Sequence, residues 1–427
     1  MQTSPLPKRR IFWGWYIIGL MIVSMALVFG IRTSFSIFFE PVLKTFPTWY
    51  RGSTALMLSL NIFIYGLAAP LAGLMVDRWK PRATAVIGLL LLALTTAGCY
   101  YAHSLWYFYL MFGGIGPVGA AFCASPVLNA SVINWFGKSR GLGVGLGQIG
   151  GGFSFVYGLM VQAVIDKWGW QVCFLVMGGL ILVVLLPLYL VFYYHRPEDK
   201  GFLPYDALKP KNYKNVVDVP KPAKEWNLRA AYKTYQLWLL VFTEFCFWGI
   251  GNYLVLAHQV KFAEDVGFSS LLSTSVFALY GFVSIFGQIA SAVSDKWGRE
   301  KTLTIASVLA VGGLVALMSV NNTSQVRLLY VYAISSGFAT GVFSPVIIVG
   351  LADIFYGKNI SSLSGLLMTG MGFGGVIGPW LGGYLYDKLG SYHVAFLVSL
   401  IAFIVGTVAF WLAAPRNAEK LRTSRLG

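Results

Sequence analysis

Twelve apolar runs, each about twenty residues long and separated by short polar loops, leave this chain few ways to fold. In a bilayer no water is available to the backbone, so every N–H and C=O must find its partner inside the protein. A helix does this locally. The alternating segments of about ten residues that mark a transmembrane barrel are not in the pattern. The runs lie near residues 12–39, 53–76, 83–102, 105–133, 141–165, 170–194, 234–260, 270–294, 302–320, 326–352, 361–385 and 391–414. They predict an all-α membrane protein with twelve transmembrane helices.

The chain also repeats itself. Gly73-Leu74-Met75-Val76-Asp77-Arg78-Trp79-Lys80-Pro81-Arg82 returns as Ser291-Ala292-Val293-Ser294-Asp295-Lys296-Trp297-Gly298-Arg299. Asp166-Lys167-Trp168-Gly169 is echoed by Asp387-Lys388-Leu389-Gly390, and Trp135-Phe136-Gly137-Lys138 by Phe355-Tyr356-Gly357-Lys358. Each pair is separated by a similar length of chain, which implies two pseudo-symmetric six-helix halves, the usual sequence mark of a secondary transporter. The expected division is residues 1–194 for the first half, 195–233 for a linker, 234–414 for the second half and 415–427 for a tail.

Only 11% of residues are charged, against about a quarter in a soluble domain. The net charge of +16 is a topology signal rather than a nucleic-acid footprint, because the basic residues sit in alternate loops. The termini with loops 77–82, 138–140, 195–233, 295–301 and 358 hold 25 Lys and Arg; the opposite loops hold six (Lys44, Arg51, Lys167, Lys261, Arg327, Lys388). Both termini are therefore expected in the cytoplasm of a multi-pass protein of the inner (plasma) membrane. The linker carries Pro197, Pro204, Pro210, Pro220 and Pro222, and Trp226-Asn227-Leu228-Arg229 within it has the makings of a short surface helix. Cys99, Cys123, Cys173 and Cys246 fall inside apolar runs as packing residues. No metal-ligand spacing, nucleophile motif or nucleotide loop stands out, so no enzyme activity, cofactor or nucleic-acid partner is expected.

Glycines 370, 374, 378 and 382 recur every fourth residue in the eleventh run, and Gly143, Gly147 and Gly151 in the fifth. Such faces let helix backbones approach closely. Their equivalent places in the two halves suit a moving seam. Pro117, Pro126 and Pro345 should bend the fourth and tenth helices.

With these residues in view, the chain resembles the major facilitator superfamily. The Gly73–Arg82 stretch is similar to the family's G-x-L-x-D-R-x-G-R signature, with Lys80 in place of the second glycine and Ser291 leading the second copy. The run Arg32-Thr33-Ser34-Phe35-Ser36-Ile37-Phe38-Phe39-Glu40-Pro41, and Asn134-Trp135-Phe136 with Arg140-Gly141-Leu142, resemble bacterial relatives of the monocarboxylate transporters. The resemblance implies a small organic anion as substrate and alternating access as mechanism. It also implies an arginine in the eighth helix, where this chain has Gln288. Oxalate/formate exchangers, a related group, carry basic residues in both the eighth and the eleventh helix; neither run has one in its core here, so the comparison implies that a doubly charged, oxalate-like substrate is disfavoured.

Ionisable residues inside spans are costly unless they face a cavity or a partner. Arg32 sits about 10 Å outward of the centre of the first helix at about 1.5 Å per residue. It either snorkels to the outer interface or attracts an anion. Glu244 lies about 5 Å to the other side of its own helix centre, leaving roughly 15 Å of height between the two. It is either a proton carrier or a protonated acid bonded to a neighbouring helix. His258 is either a second proton group or an interfacial histidine. Glu244, Trp248, Asn252 and His258 fall on one helical stripe, and Tyr280, Ser284, Gln288 and Ser291 on another. Asn61, Tyr65, Asn129 with Ser125, and Gln148 would complete a polar substrate cavity, although each alone also reads as an interhelical hydrogen bond.

A latch is expected on the cytoplasmic side. Asp77 would cap the eleventh helix at Ser361-Ser362 and Asp295 the fifth at Ser139-Arg140-Gly141, since helix N-termini favour carboxylates; Arg78, Arg82, Arg140 and Arg299 would belong to the same set. The sequence thus points to a monomeric secondary transporter for a small monocarboxylate such as lactate or pyruvate, moved with a proton across the lipid bilayer. Efflux of a hydrophobic or drug-like compound is the alternative.

Overall fold

The computed structural model describes residues 12–49, 51–79, 81–205, 226–355, 357 and 359–418. Lys80, Tyr356, Lys358, the linker prolines Pro210, Pro220 and Pro222, and most of the expected tail lie outside them, as do the side chains of Ser36, Phe39, Glu40, Arg51 and Lys138. The described chain is almost wholly helical. We number the membrane helices α1 (Gly14–Thr33), α2 (Arg51–Arg78), α3 (Pro81–Gly98), α4 (Leu105–Phe136), α5 (140–168), α6 (170–192), α7 (Tyr235–Val266), α8 (Ser270–Ala290), α9 (Arg299–Met318), α10 (Val326–Phe355), α11 (Ile360–Leu389) and α12 (His393–Ala413).

Helices α5 and α6 run together without a loop. Gly169 divides them at φ 84°, ψ 165°, a conformation that a side chain resists. Its repeat partner Gly390 ends α11 at φ 66°. The second repeat pair therefore does the same work in both halves: each glycine closes a helix at the membrane edge. The first helix stops earlier than its apolar run suggests. The chain steps at Ser34 and continues as a separate helix, Phe35–Thr45.

Two helices depart from regular α geometry. In α4 residues Tyr109–Ile115 are π-helical, and the helix breaks at Ala124 just before Pro126. In α7 residues Phe245–Asn252 are π-helical. A π turn leaves backbone carbonyls out of register and often marks a functional site. Helix α10 passes through Pro345 as one continuous element.

The halves meet along two seams. On α2 and α11, a Cβ on Gly66 would lie 2.8 Å from the Cα of Gly372, so only glycine permits this approach. On α5 and α8, a Cβ on Gly145 would lie 2.6 Å from the carbonyl of Gln288, and one on Gly152 3.0 Å from that of Gly281. The α5 glycines that face the other half include 145 and 152. Gly143 and Gly147 of the expected stripe instead face Phe136 and Met21 of their own half.

The linker leaves and enters on one face of the bundle. Phe12 packs edge-on against Phe136 and tilted against Tyr205 there, and Trp226 edge-on against Phe355. The expected surface helix is the single turn Leu228–Tyr232, capped by Asn227, with Trp226 buried in the bundle rather than laid on a membrane surface. At the linker's start His195 is buried. Its Nδ1 lies 2.9 Å from Ser131 Oγ and its Nε2 3.2 Å from Asn134 Nδ2, tying the end of α6 to α4. Burial, with Arg196 beside it, pushes its pKa down from 6.5 to about 4. The unfolded chain therefore takes up a proton at higher pH than the folded one. Stability linked to His195 is complete above about pH 6.5 and drains away as pH falls toward 4, a loss on the order of 3 kcal/mol. Thermal melts between pH 7 and 4 should steepen for the native protein relative to His195→Gln; parallel curves would show that His195 does not titrate this way.

Candidate functional site

Arg32 ends α1 deep inside the first half, at 7% exposure, and does not reach for the membrane edge. Its guanidinium lies 4.5 Å from the centre of the Tyr65 ring and 5.5 Å from that of Phe29. Cation–π contact of this kind stabilises a desolvated cation by about 2 kcal/mol. Arg32 Nε donates to Asn61 Oδ1 at 2.9 Å, and Asn61 Nδ2 donates to the Phe112 carbonyl at 2.6 Å. Phe112 lies in the π turn of α4. The other end of the guanidinium, Nη1, is buried with no partner among the described residues. Arg32, Asn61 and Thr96 line a void of about 20 Å³, room for about one water.

Tyr65 is fully buried, and its hydroxyl has no partner among the described residues. Glu244 is itself fully buried, with both carboxyl oxygens unpartnered among the described residues. Helix spacing alone separates Arg32 and Glu244 by height, and the two are buried in different halves.

Beyond Glu244 the expected stripe on α7 divides. Trp248 Nε1 and Asn252 Nδ2 are buried and unpartnered among the described residues. Asn252 Oδ1 accepts from Tyr280 at 2.9 Å and from Thr340 at 3.1 Å, and Tyr280 and Thr340 also bond each other. Asn252 therefore faces α8 and α10. His258 faces α11 instead, donating from Nε2 to the Pro379 carbonyl at 2.8 Å and packing on Tyr392. Six residues of ordinary helix beyond the π turn carry it round to another face of α7.

The remaining candidates lie between helices of one half or on the seam. Asn129 bonds Ser125 at 2.7 Å and Gln148 at 3.1 Å, joining α4 to α5. Ser284 Oγ bonds its own helix at Gly281. Gln288 is buried on α8 beside Gly151 of α5, its Oε1 unpartnered among the described residues.

On the linker face, Asp77 Oδ2 accepts from the Ser362 backbone N–H at 2.9 Å and from its hydroxyl at 2.6 Å, across the halves at the start of α11. Asp295 rests against Gly141 at the start of α5, where a Cβ would lie 2.6 Å from its Oδ2, and is paired with Arg299 at 2.6 Å. Arg299 bonds Asp353 at 2.8 Å, and Arg140 of the first half pairs with the same carboxylate. Asp353 is thus the residue through which Arg140 and Arg299 meet. Nothing in its sequence position singles it out, since it is one acid at the end of an apolar run. Arg78 is exposed, and Arg82 packs over Tyr194 of its own half.

Comparison with known proteins fits this architecture. The Major Facilitator Superfamily profile matches residues 11–334 and 289–426. The chain is 25% identical to "Monocarboxylate transporter 13" of Rattus norvegicus over 398 residues, covering 92% of this chain and 87% of that protein. It is 24% identical to "Monocarboxylate transporter 12" of Homo sapiens over 433 residues, covering 97% and 82%. Among solved structures it is similar to FucP in the outward conformation, with a TM-score of 0.67 at 16% identity, covering 93% of this chain and 99% of that one. It is similar also to the proton:xylose symporter XylE bound to 6-bromo-6-deoxy-D-glucose, with a TM-score of 0.70 at 14% identity, covering 94% and 95%. These two likenesses concern the fold. With both halves matched and the six-plus-six arrangement in place, this chain belongs to the Major Facilitator Superfamily.

Proposed function

We propose that this protein moves a small monocarboxylate, of the lactate or pyruvate kind, together with a proton by alternating access, as a monomer in the plasma membrane with its linker face in the cytoplasm. One observation carries the substrate class: Arg32 is a cation buried among aromatic rings, with Nη1 unpartnered among the described residues. A buried charge without a counter-ion costs several kcal/mol, and an arriving carboxylate removes that cost. A single cation suits a single negative charge. The names of the relatives support the same class.

Glu244 carries the proton. It is fully buried on the second half, with both carboxyl oxygens unpartnered among the described residues. Anion and proton together cross as a neutral pair, which spares the closed state the cost of an uncompensated charge. His258, bonded to the Pro379 carbonyl and turned toward Tyr392, is better placed to fix α7 against α11 than to exchange protons with the site.

Asp77 acts as a latch. Its two bonds to Ser362 hold α2 to α11 on the linker face, so they must break before that face opens. Asp77→Asn keeps the size but loses the charge at the α11 N-terminus, a loss of about 1–2 kcal/mol. Cysteine-accessibility labelling of the variant should shift toward the linker-face-open state by roughly fivefold or more; an unchanged pattern would remove the latch. The substrate class is tested by uptake into proteoliposomes of a panel of mono- and dicarboxylates, neutral solutes and cations. Monocarboxylates should dominate, and selective transport of hydrophobic cations would replace this reading with efflux.

A further inference from the structure

We propose that Asn61 is the positioning residue for Arg32, and that the π turn of α4 supplies the backbone carbonyl that holds it in place. The inference rests on Arg32 receiving the substrate carboxylate.

An asparagine amide can be turned either way, and its neighbours decide which. Here the Arg32 Nε–H requires an acceptor, and Asn61 Oδ1 provides it at 2.9 Å. The amide nitrogen must then find an acceptor on the opposite side. In a regular α-helix a carbonyl is engaged by the N–H four residues on. In the π stretch Tyr109–Ile115 the partner lies five residues on: the Gly116 N–H goes to Met111, and the residue five on from Phe112 is Pro117, which has no N–H, so the Phe112 carbonyl accepts from Asn61 Nδ2 at 2.6 Å. Asn61 is only 7% exposed, so both bonds lie inside the bundle. The result is a chain from the backbone of α4 through α2 to α1.

The consequence is directional. With Nε engaged by Asn61 and the guanidinium carbon 4.5 Å from the centre of the Tyr65 ring, the Nε edge is committed, and Nη1 is buried and unpartnered among the described residues. Guanidinium is planar and rigid, so fixing one edge aims the other. Asn61 therefore shapes the site without touching the substrate. Its neutrality matters as well: a carboxylate at 61 would make the same bond to Nε but would cancel the charge that draws the anion in.

The test uses lactate as the probe, with the full-length protein in proteoliposomes, and compares Asn61→Leu, Asn61→Thr and Asn61→Asp with Arg32→Gln. Asn61→Leu should raise the lactate KM at least about tenfold while leaving the maximal rate within about twofold, because a hydrogen bond to a charged group is lost. Asn61→Thr keeps an acceptor beside Nε and should fall between Leu and the native residue. Asn61→Asp separates positioning from packing. It turns the bond to Arg32 Nε into an ion pair while placing an oxygen where the Phe112 carbonyl had a donor, so Arg32 stays paired, yet the variant should take up lactate at least as poorly as Asn61→Leu. If Asn61→Leu does not fold, Asn61→Thr and Asn61→Asp carry the test. A native KM in Asn61→Asp or Asn61→Thr, with Arg32→Gln inactive, overturns the positioning role. Native uptake by Arg32→Gln instead overturns the assignment of Arg32 itself, and this inference with it.

Discussion

Arg32→Gln should cost the protein its affinity for lactate by roughly 30- to several-thousand-fold, the range expected when one partner of a buried, hydrogen-bonded charge pair is removed at about 2–5 kcal/mol. Glutamine preserves an amide that Asn61 can bond, so the fold should survive. The lost part is the charge: Arg32 is buried against Phe29 and Tyr65, with Asn61 as its neutral hydrogen-bond partner. Arg32→Lys is the sharper companion. Lysine keeps the charge but offers a compact ammonium in place of a planar fork. It should bind lactate more weakly than the native protein and better than Arg32→Gln. Isothermal calorimetry on the detergent-purified protein reads both. Native affinity in Arg32→Gln would move the anion site elsewhere.

Glu244→Gln should separate substrate from proton. Glutamine has nearly the volume of glutamic acid and remains polar in the same buried place, but it cannot release a proton. Net lactate uptake driven by an inward proton gradient should fall at least about tenfold, whereas lactate–lactate exchange, which needs no net proton movement, should stay within about twofold. The reasoning is local. Both Glu244 oxygens are buried and unpartnered among the described residues, so the ionised form has neither counter-charge nor donor to replace lost water. Equal loss of uptake and exchange would make Glu244 a structural residue.

What the sequence made legible were the features that break an apolar background. Arg32 and Glu244 stand out because a charge inside a span is rare. Asp77 and Asp295 stand out because they occur twice in one setting, and Gly169 and Gly390 because the repeat aligns them; both glycines have positive φ. The six-plus-six plan followed from the same repeats. What stayed hidden depends on tertiary packing. Pro117 marks a bend in α4, but neither it nor the apolar run of α7 announces a π stretch, yet one presents the Phe112 carbonyl to Asn61 and the other precedes the turn that takes His258 off the Asn252 face. A backbone acceptor has no residue type to read. Asp353, shared by Arg140 and Arg299, and Thr340, bonded to Asn252 and Tyr280, are ordinary residues whose importance comes from the helices beside them.

The coupling of anion and proton is the heart of this account, and it can be read without labelled substrate. Proteoliposomes containing the protein and a pH-sensitive dye inside receive external lactate, with no pH gradient and with the membrane potential clamped. The account predicts internal acidification at a rate that depends on the protein, saturates with lactate and is abolished in Glu244→Gln. Lactate accumulation with no protein-dependent acidification would contradict it.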